Sequence, residues 1–142
     1  METMSKAKNV EAQEKFGEAV NTGNLELIRD VVAENIKDHD PAPDQGPGPQ
    51  GFIDFFSGMR TSFPDFEVEV DHMVTDEDNV SFAYTAKGTH KGNFMGYEPT
   101  GKSFEVRGMQ IGRFENGKLA ERWGSTNQWG ILQQLGLVEG SN

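Results

Sequence analysis

Few side chains in this sequence can do chemistry, and their spacing limits what that chemistry is. There is no cysteine, which excludes disulfides, thiolate nucleophiles and thiolate zinc sites. Three histidines remain, His39, His72 and His90. An imidazole titrates near neutral pH and can act as a general base where it meets a substrate. His72 shares the apolar parity of Phe66, Val68, Val70 and Val74. It is a base facing a pocket, a core histidine with one hydrogen-bond partner, or a residue at the sheet end. His39 stands between Asp38 and Asp40; approaching carboxylates would favour its charged form, and so would a solvated helix terminus. His90 falls in a loop after a strand end. The three lack the spacing of a metal site, so no metal is expected.

Amides are the other candidates. Asn116-Gly117 signals a two-residue hairpin turn. That turn sets Glu115 opposite Lys118, Phe114 opposite Leu119 and Gln110 opposite Trp123, and opposed residues share a sheet face. Gln110 and Trp123 are thus expected on the face of Phe104, Val106 and Phe114. Asn127 keeps that parity if no bulge intervenes. Two amides on an apolar face suit a ligand pocket, or else satisfy buried backbone groups or lie at the sheet end in water.

The carboxylates are less promising. Asp65, Glu67, Glu69 and Asp71 alternate with the apolar set and read as a solvated sheet face, while Asp76-Glu77-Asp78 reads as a turn without the offsets of a calcium loop. Arg107 and Arg113, on the opposite face from Gln110, suit cross-strand pairing with acids. In all, 23 acidic and 13 basic residues give a net charge of −10. Such a balance argues against nucleic acid or an anionic membrane as partner. The first nine residues are polar and no run of about 18 apolar residues occurs. No export leader or membrane span is expected, and a cytoplasmic location follows as the default. At 142 residues the chain reads as one domain, 1–142, with residues 1–8 a flexible start.

These candidates must be positioned by two kinds of element. In the first half, apolar residues recur at helical spacing: Ala12, Phe16, Ala19 and Val20, closed by Asn21-Thr22-Gly23; Leu25, Ile28, Val31, Val32 and Ile36, closed by Asp40-Pro41; Phe52, Phe55, Phe56, Met59 and Phe63, closed by Pro64. A Pro-rich stretch over 41–49 reads as a loop. The second half alternates with period two over 66–74, 80–86, 104–114 and 119–127, and a short helix follows over 128–137. Helices followed by an antiparallel sheet give an α+β domain with the helices on one sheet face. A strongly curved four-stranded sheet closed in this way makes a cone, and its open end would be a pocket. The Phe52–Phe63 stripe would roof it, so Phe56 and Met59 serve either core or ligand.

In order along the chain, Asn21-Thr22-Gly23-Asn24-Leu25, Asp38-His39-Asp40-Pro41, Gly51-Phe52, Ser62-Phe63-Pro64-Asp65, Gly88-Thr89-His90 with Gly92, Pro99-Thr100-Gly101-Lys102, Arg113 to Lys118, Glu121-Arg122-Trp123 and Leu132 to Gly136 form a pattern. Over roughly residues 10–138 it resembles the SnoaL-like polyketide cyclases, also called ester cyclases. The resemblance implies a nuclear-transport-factor-2-like cone, often a homodimer, with an apolar pocket. In relatives that pocket closes a polyketide ring by intramolecular aldol condensation without metal or cofactor. The carboxylate those cyclases carry just after the Glu-x-Trp tryptophan, or a few residues later, is replaced here by Gly124 and Asn127. Gln110 stands where they place a pocket histidine or another polar residue. Two functions stay open. In one, a small hydrophobic ligand is turned over, with Gln110 and Asn127 holding a developing enolate oxygen and His39, or else His72, as base. In the other the same pocket, lined by Phe56, Met59, His72, Tyr84 and Trp123, only binds. Dimer assembly through Met109 and Ile111 is compatible with both.

Overall fold

Residues 2–139 are described by the computed structural model, with side chains from residue 6 onward. The chain runs α1 (Glu2–Thr22), a 3-10 helix (Leu25–Asp30), β1 (Val32–Asp38), α2 (Gly48–Ser62), β2 (Glu67–Thr75), β3 (Asn79–Thr89), β4 (Ser103–Glu115), β5 (Lys118–Thr126) and α3 (Gln128–Gln134). The strands form one curved, unclosed sheet in the order β1-β5-β4-β3-β2. All pairings are antiparallel except β1 with β5.

The helices cover one face of this sheet, which we call inner. α1 buries Ala12, Ala19 and Val20, and its Phe16 meets Phe52 of α2 edge-on at 5.7 Å. Gly23 closes α1 in the left-handed region (φ 83°), its N–H donating to Ala19 O at 3.0 Å. α2 starts inside the stretch read as a loop. Pro47 caps it and Pro49 sits in its first turn, where a missing N–H costs nothing. From the sheet come Val80, Phe82, Tyr84 and Ala86 of β3, Phe104, Val106 and Phe114 of β4, and Leu119 of β5, all buried.

The expected second helix is not one. Leu25, Ile28 and Val31 are three apart, a spacing that shares one side of a 3-10 helix, and Ile28 and Val31 are buried. From Val32 the chain becomes a fifth strand, its Val32 paired parallel to Leu119. The β-branched Val31-Val32 pair favours this, and Leu119 N–H closes on Val31 O at 2.7 Å. A helical stripe cannot register such a partner, because it lies 87 residues away in sequence.

Two bulges reset which face the candidates occupy. In β2 the register slips between Val70 and His72. Val70 lies opposite Tyr84 but Met73 lies opposite Phe82, so Met73 takes the inner parity. In β5 Phe114 faces Leu119 and Glu115 faces Lys118 as the turn predicts, but Arg113 then faces Glu121. Beyond that slip Gln110 faces Gly124, and Trp123 faces Ile111. Each bulge inserts one residue, which inverts the parity of everything after it.

Candidate functional site

The inner face carries one polar cluster, where β1 runs out beside β5. Parallel pairing places Asp38 beside Arg122, and the β5 bulge puts Arg122 on the inner side opposite Gly112. Its Nη1 donates to Asp38 Oδ1 at 2.9 Å and to Asp40 O at 3.2 Å, and its Nε donates to Gln110 Oε1 at 2.8 Å. The side chains of Arg122 and Asp38 are only 17% and 9% exposed, so the pair is largely shielded from water and stronger than a surface ion pair. Asp38 is further occupied by Asp40 N–H at 3.0 Å and by Gln45 Nε2 at 3.3 Å.

Gly124 lies at the centre of this group. It faces Gln110, and its N–H donates to Asp40 Oδ2 at 2.9 Å. A Cβ on Gly124 would come 2.7 Å from Arg122 Nη2. The absent side chain thus leaves room for a guanidinium, and the carboxylates nearby come from the end of β1. Among the described residues no partner takes Arg122 Nη2, the Gln110 amide nitrogen or Asp40 Oδ1. Two donors and one acceptor are therefore available at one place.

The other sequence candidates are distributed elsewhere. Tyr84 is buried on the inner face, its hydroxyl bonded to Thr126 Oγ1, and its ring lies over Gly108. Phe56 is half-buried among Phe16, Phe55 and Phe66, and Met59 is half-buried against the core. Asn127 does not share a face with Gln110. It precedes α3 as its N-cap, its side-chain oxygen accepting Gly130 N–H at 2.9 Å. The β2 bulge turns His72 outward opposite Ala83, where it is exposed. His90 is fully buried beside Phe63, its Nδ1 accepting the Thr100 N–H at 3.2 Å.

Trp123 and His39 meet on the outer face. Their rings stack with centroids 4.7 Å apart and planes 8° from parallel. His39 Nε2 lies 2.6 Å from Glu121 Oε2, and Glu121 Oε1 accepts from Arg113 Nε at 2.9 Å. The hydrogen bond from His39, followed by that from Arg113, holds the Glu121 carboxyl below its ordinary value. Arg113 also binds Glu115 at 2.7 Å, so it pairs with acids as its face predicted.

An open depression of about 600 Å³ on the same outer side is lined by Val74, Asn79, Ser81, Ile111 and Trp123 among others. The inner face is filled where its glycines would leave room: Tyr84 covers Gly108, and Leu119 and Phe114 cover Gly112. No three His, Asp or Glu side chains are grouped as metal ligands among the described residues. No described helix is long and apolar enough to cross a membrane.

Arg122, Asp38, Asp40 and Gly124 as one cluster were not legible from spacing. Reading the chain as extended from Val32 through Asp40, past the end of β1, would have flagged Asp38 and Asp40 as i, i+2 neighbours.

The geometry can be set beside known proteins. The fold matches TsrD from Streptomyces laurentii with a TM-score of 0.84 at 23% identity, over 93% of this chain and 97% of that one. IdmH from Streptomyces antibioticus, whose assignment as a polyketide cyclase is provisional, matches with a TM-score of 0.78 at 30% identity, over 90% and 98%. AclR from Streptomyces galilaeus, provisionally a hydroxylase, matches with a TM-score of 0.83 at 26% identity, over 96% and 86%. No curated protein matches the sequence. The sequence pattern of the SnoaL-like polyketide cyclases fits residues 10–135. With that pattern spanning most of its length, the chain belongs to the SnoaL-like polyketide cyclase family.

Proposed function

We propose that the protein takes a small, largely apolar ligand bearing a carbonyl group and acts on it by acid–base chemistry of the aldol-cyclase or isomerase type. The observation that carries this reading is the convergence of Gln110, Arg122 and Asp40 around Gly124. Asp40 Oδ1 removes a proton from the carbon next to the carbonyl. The electron pair of that C–H bond moves toward the carbonyl oxygen, where the Gln110 amide and Arg122 Nη2 donate. Each such donor contributes about 3 kcal/mol where an oxyanion develops. In a ring closure the enolate carbon attacks a second carbonyl carbon, and the alkoxide so formed takes the proton back from Asp40. Asp38 neutralises Arg122, so the site suits a neutral carbonyl better than an anion. The family name supports a ring-forming reaction. Of the sequence candidates, Gln110 keeps its assigned role, while Arg122 takes that of Asn127, and Asp40 that of His39.

A second reading, non-catalytic binding at the same place, is supported by Gly124 and Asn127, which carry no carboxylate where the family resemblance implies one. The two are separated with 2-tetralone as a carbon-acid probe, its α-proton exchange in D2O followed by NMR. The parent is expected to accelerate exchange, and Asp40→Asn to lose about 100-fold of that acceleration with tetralone affinity unchanged. A parent that binds tetralone but leaves exchange at the buffer rate supports the binding-only reading.

We also propose that two copies associate through the outer sheet face. Val74, Met109 and Ile111 there are 56%, 63% and 44% exposed, and the open depression adjoins them.

A further inference from the structure

Asp40 lies two residues beyond the end of an edge strand, where a chain ordinarily leaves its sheet. The pairing of β1 with β5 ends at Asp38 opposite Arg122. His39 continues it by one bond, its backbone N–H donating to Arg122 O at 2.9 Å. On its two sides the chain forms a hook. Asp38 Oδ1 accepts the Asp40 N–H, and Asp40 Oδ2 accepts the Gly124 N–H. The His39 ring passes to the outer face, stacked on Trp123 and bonded to Glu121, which Arg113 and through it Glu115 hold in place. One residue thus ties the hook to the opposite face of the sheet. Its ring contacts fall on residues of β5 that flank Arg122 and precede Gly124.

We infer that His39 is a positioning residue: its stack on Trp123 and its bond to Glu121, made on the outer face, hold Asp40 against Gly124 beside the inner cluster. The catalytic meaning of this pin rests on the role given to Asp40 above, but its geometry does not. Removing the ring leaves the edge beyond Asp38 held by the His39 N–H bond to Arg122 O, the Arg122 Nη1 bond to Asp40 O and the Asp40 N–H bond to Asp38 Oδ1, none of which fixes the Asp40 carboxyl, and the Asp40–Gly124 hydrogen bond opens. A contact that served only overall stability would instead loosen the fold everywhere.

Amide hydrogen exchange tells these apart without any substrate. Gly124 N–H is the reporter, and Thr89 N–H at the end of β3, which donates to Asp65 Oδ1 at 2.7 Å, is the control. His39→Ala is expected to speed exchange at Gly124 by about tenfold or more, as loss of a hydrogen bond to a carboxylate implies, and to leave Thr89 unchanged. Asp40→Ala should produce the same change at Gly124. His39→Gln, which keeps a donor for Glu121, should recover part of the protection. Equal acceleration at Gly124 and Thr89, or no acceleration at Gly124, overturns the pin. Unchanged Gly124 exchange in Asp40→Ala also overturns it, since the bond would not be what protects that amide. Failure of the tetralone assay bears on the reaction alone and leaves these outcomes intact.

Discussion

Glu121 has two partners on the outer face, His39 and Arg113, at 2.6 and 2.9 Å. Both favour its charged form, and together they outweigh the opposing effect of desolvation. Its folded carboxyl therefore titrates below the ordinary value of 4.5. A depressed carboxylate contributes stability that is present above the unfolded value and is lost as pH falls through the folded one. Thermal unfolding followed from about pH 5 downward should fall less steeply in Glu121→Gln than in the parent; parallel acid limbs would mean the pairing contributes nothing. At this scale the sequence named Gln110, and the acid partners of Arg113 followed from its parity. It could not name Arg122 or Asp40, because Arg122 faces inward only through the β5 bulge and Asp40 depends on where β1 ends.

Among the elements, α3 shows how a candidate site residue can serve local structure. Asn127 satisfies the Gly130 N–H at the helix start, one of the donors a helix leaves unpaired. Asn127→Ala should cost about 1 kcal/mol in denaturant unfolding, and Asn127→Asp close to nothing, since both residues cap well. Asn127→Asp should also leave tetralone exchange unchanged, because the new carboxylate remains engaged with Gly130; a gain in rate would return position 127 to the site. The long periodic elements, α1, α2 and β2 to β5, were legible because their patterns repeat over several turns or pleats. The 3-10 helix and β1 were not. Five apolar positions fit a helical stripe, yet pairing with a distant strand decided their structure. Bulges escaped for a similar reason: one inserted residue leaves composition and turn chemistry unchanged and only inverts parity.

For the whole molecule, the outer sheet face combines exposed Val74, Met109 and Ile111 with a row of acids on β2. The proposed association predicts a dimer in sedimentation velocity at micromolar concentration, and a monomer when Met109→Glu and Ile111→Glu are combined with the fold retained by circular dichroism. A parent that sediments as a monomer removes the proposal. Repulsion between copies, each of charge −10, should make the dimer tighten as salt rises. The sequence by itself determined the class of fold, the family and the apolar inner face of β3 and β4, because these depend on periodicities and motifs carried within short windows. Tertiary structure alone decided which polar groups meet. Two single-residue bulges and one parallel edge pairing turned Trp123 and His72 outward, brought Arg122 to Gln110, and hung Asp40 on the bare amide of Gly124. Facing in a sheet is a matter of register, and register is fixed by partners far along the chain.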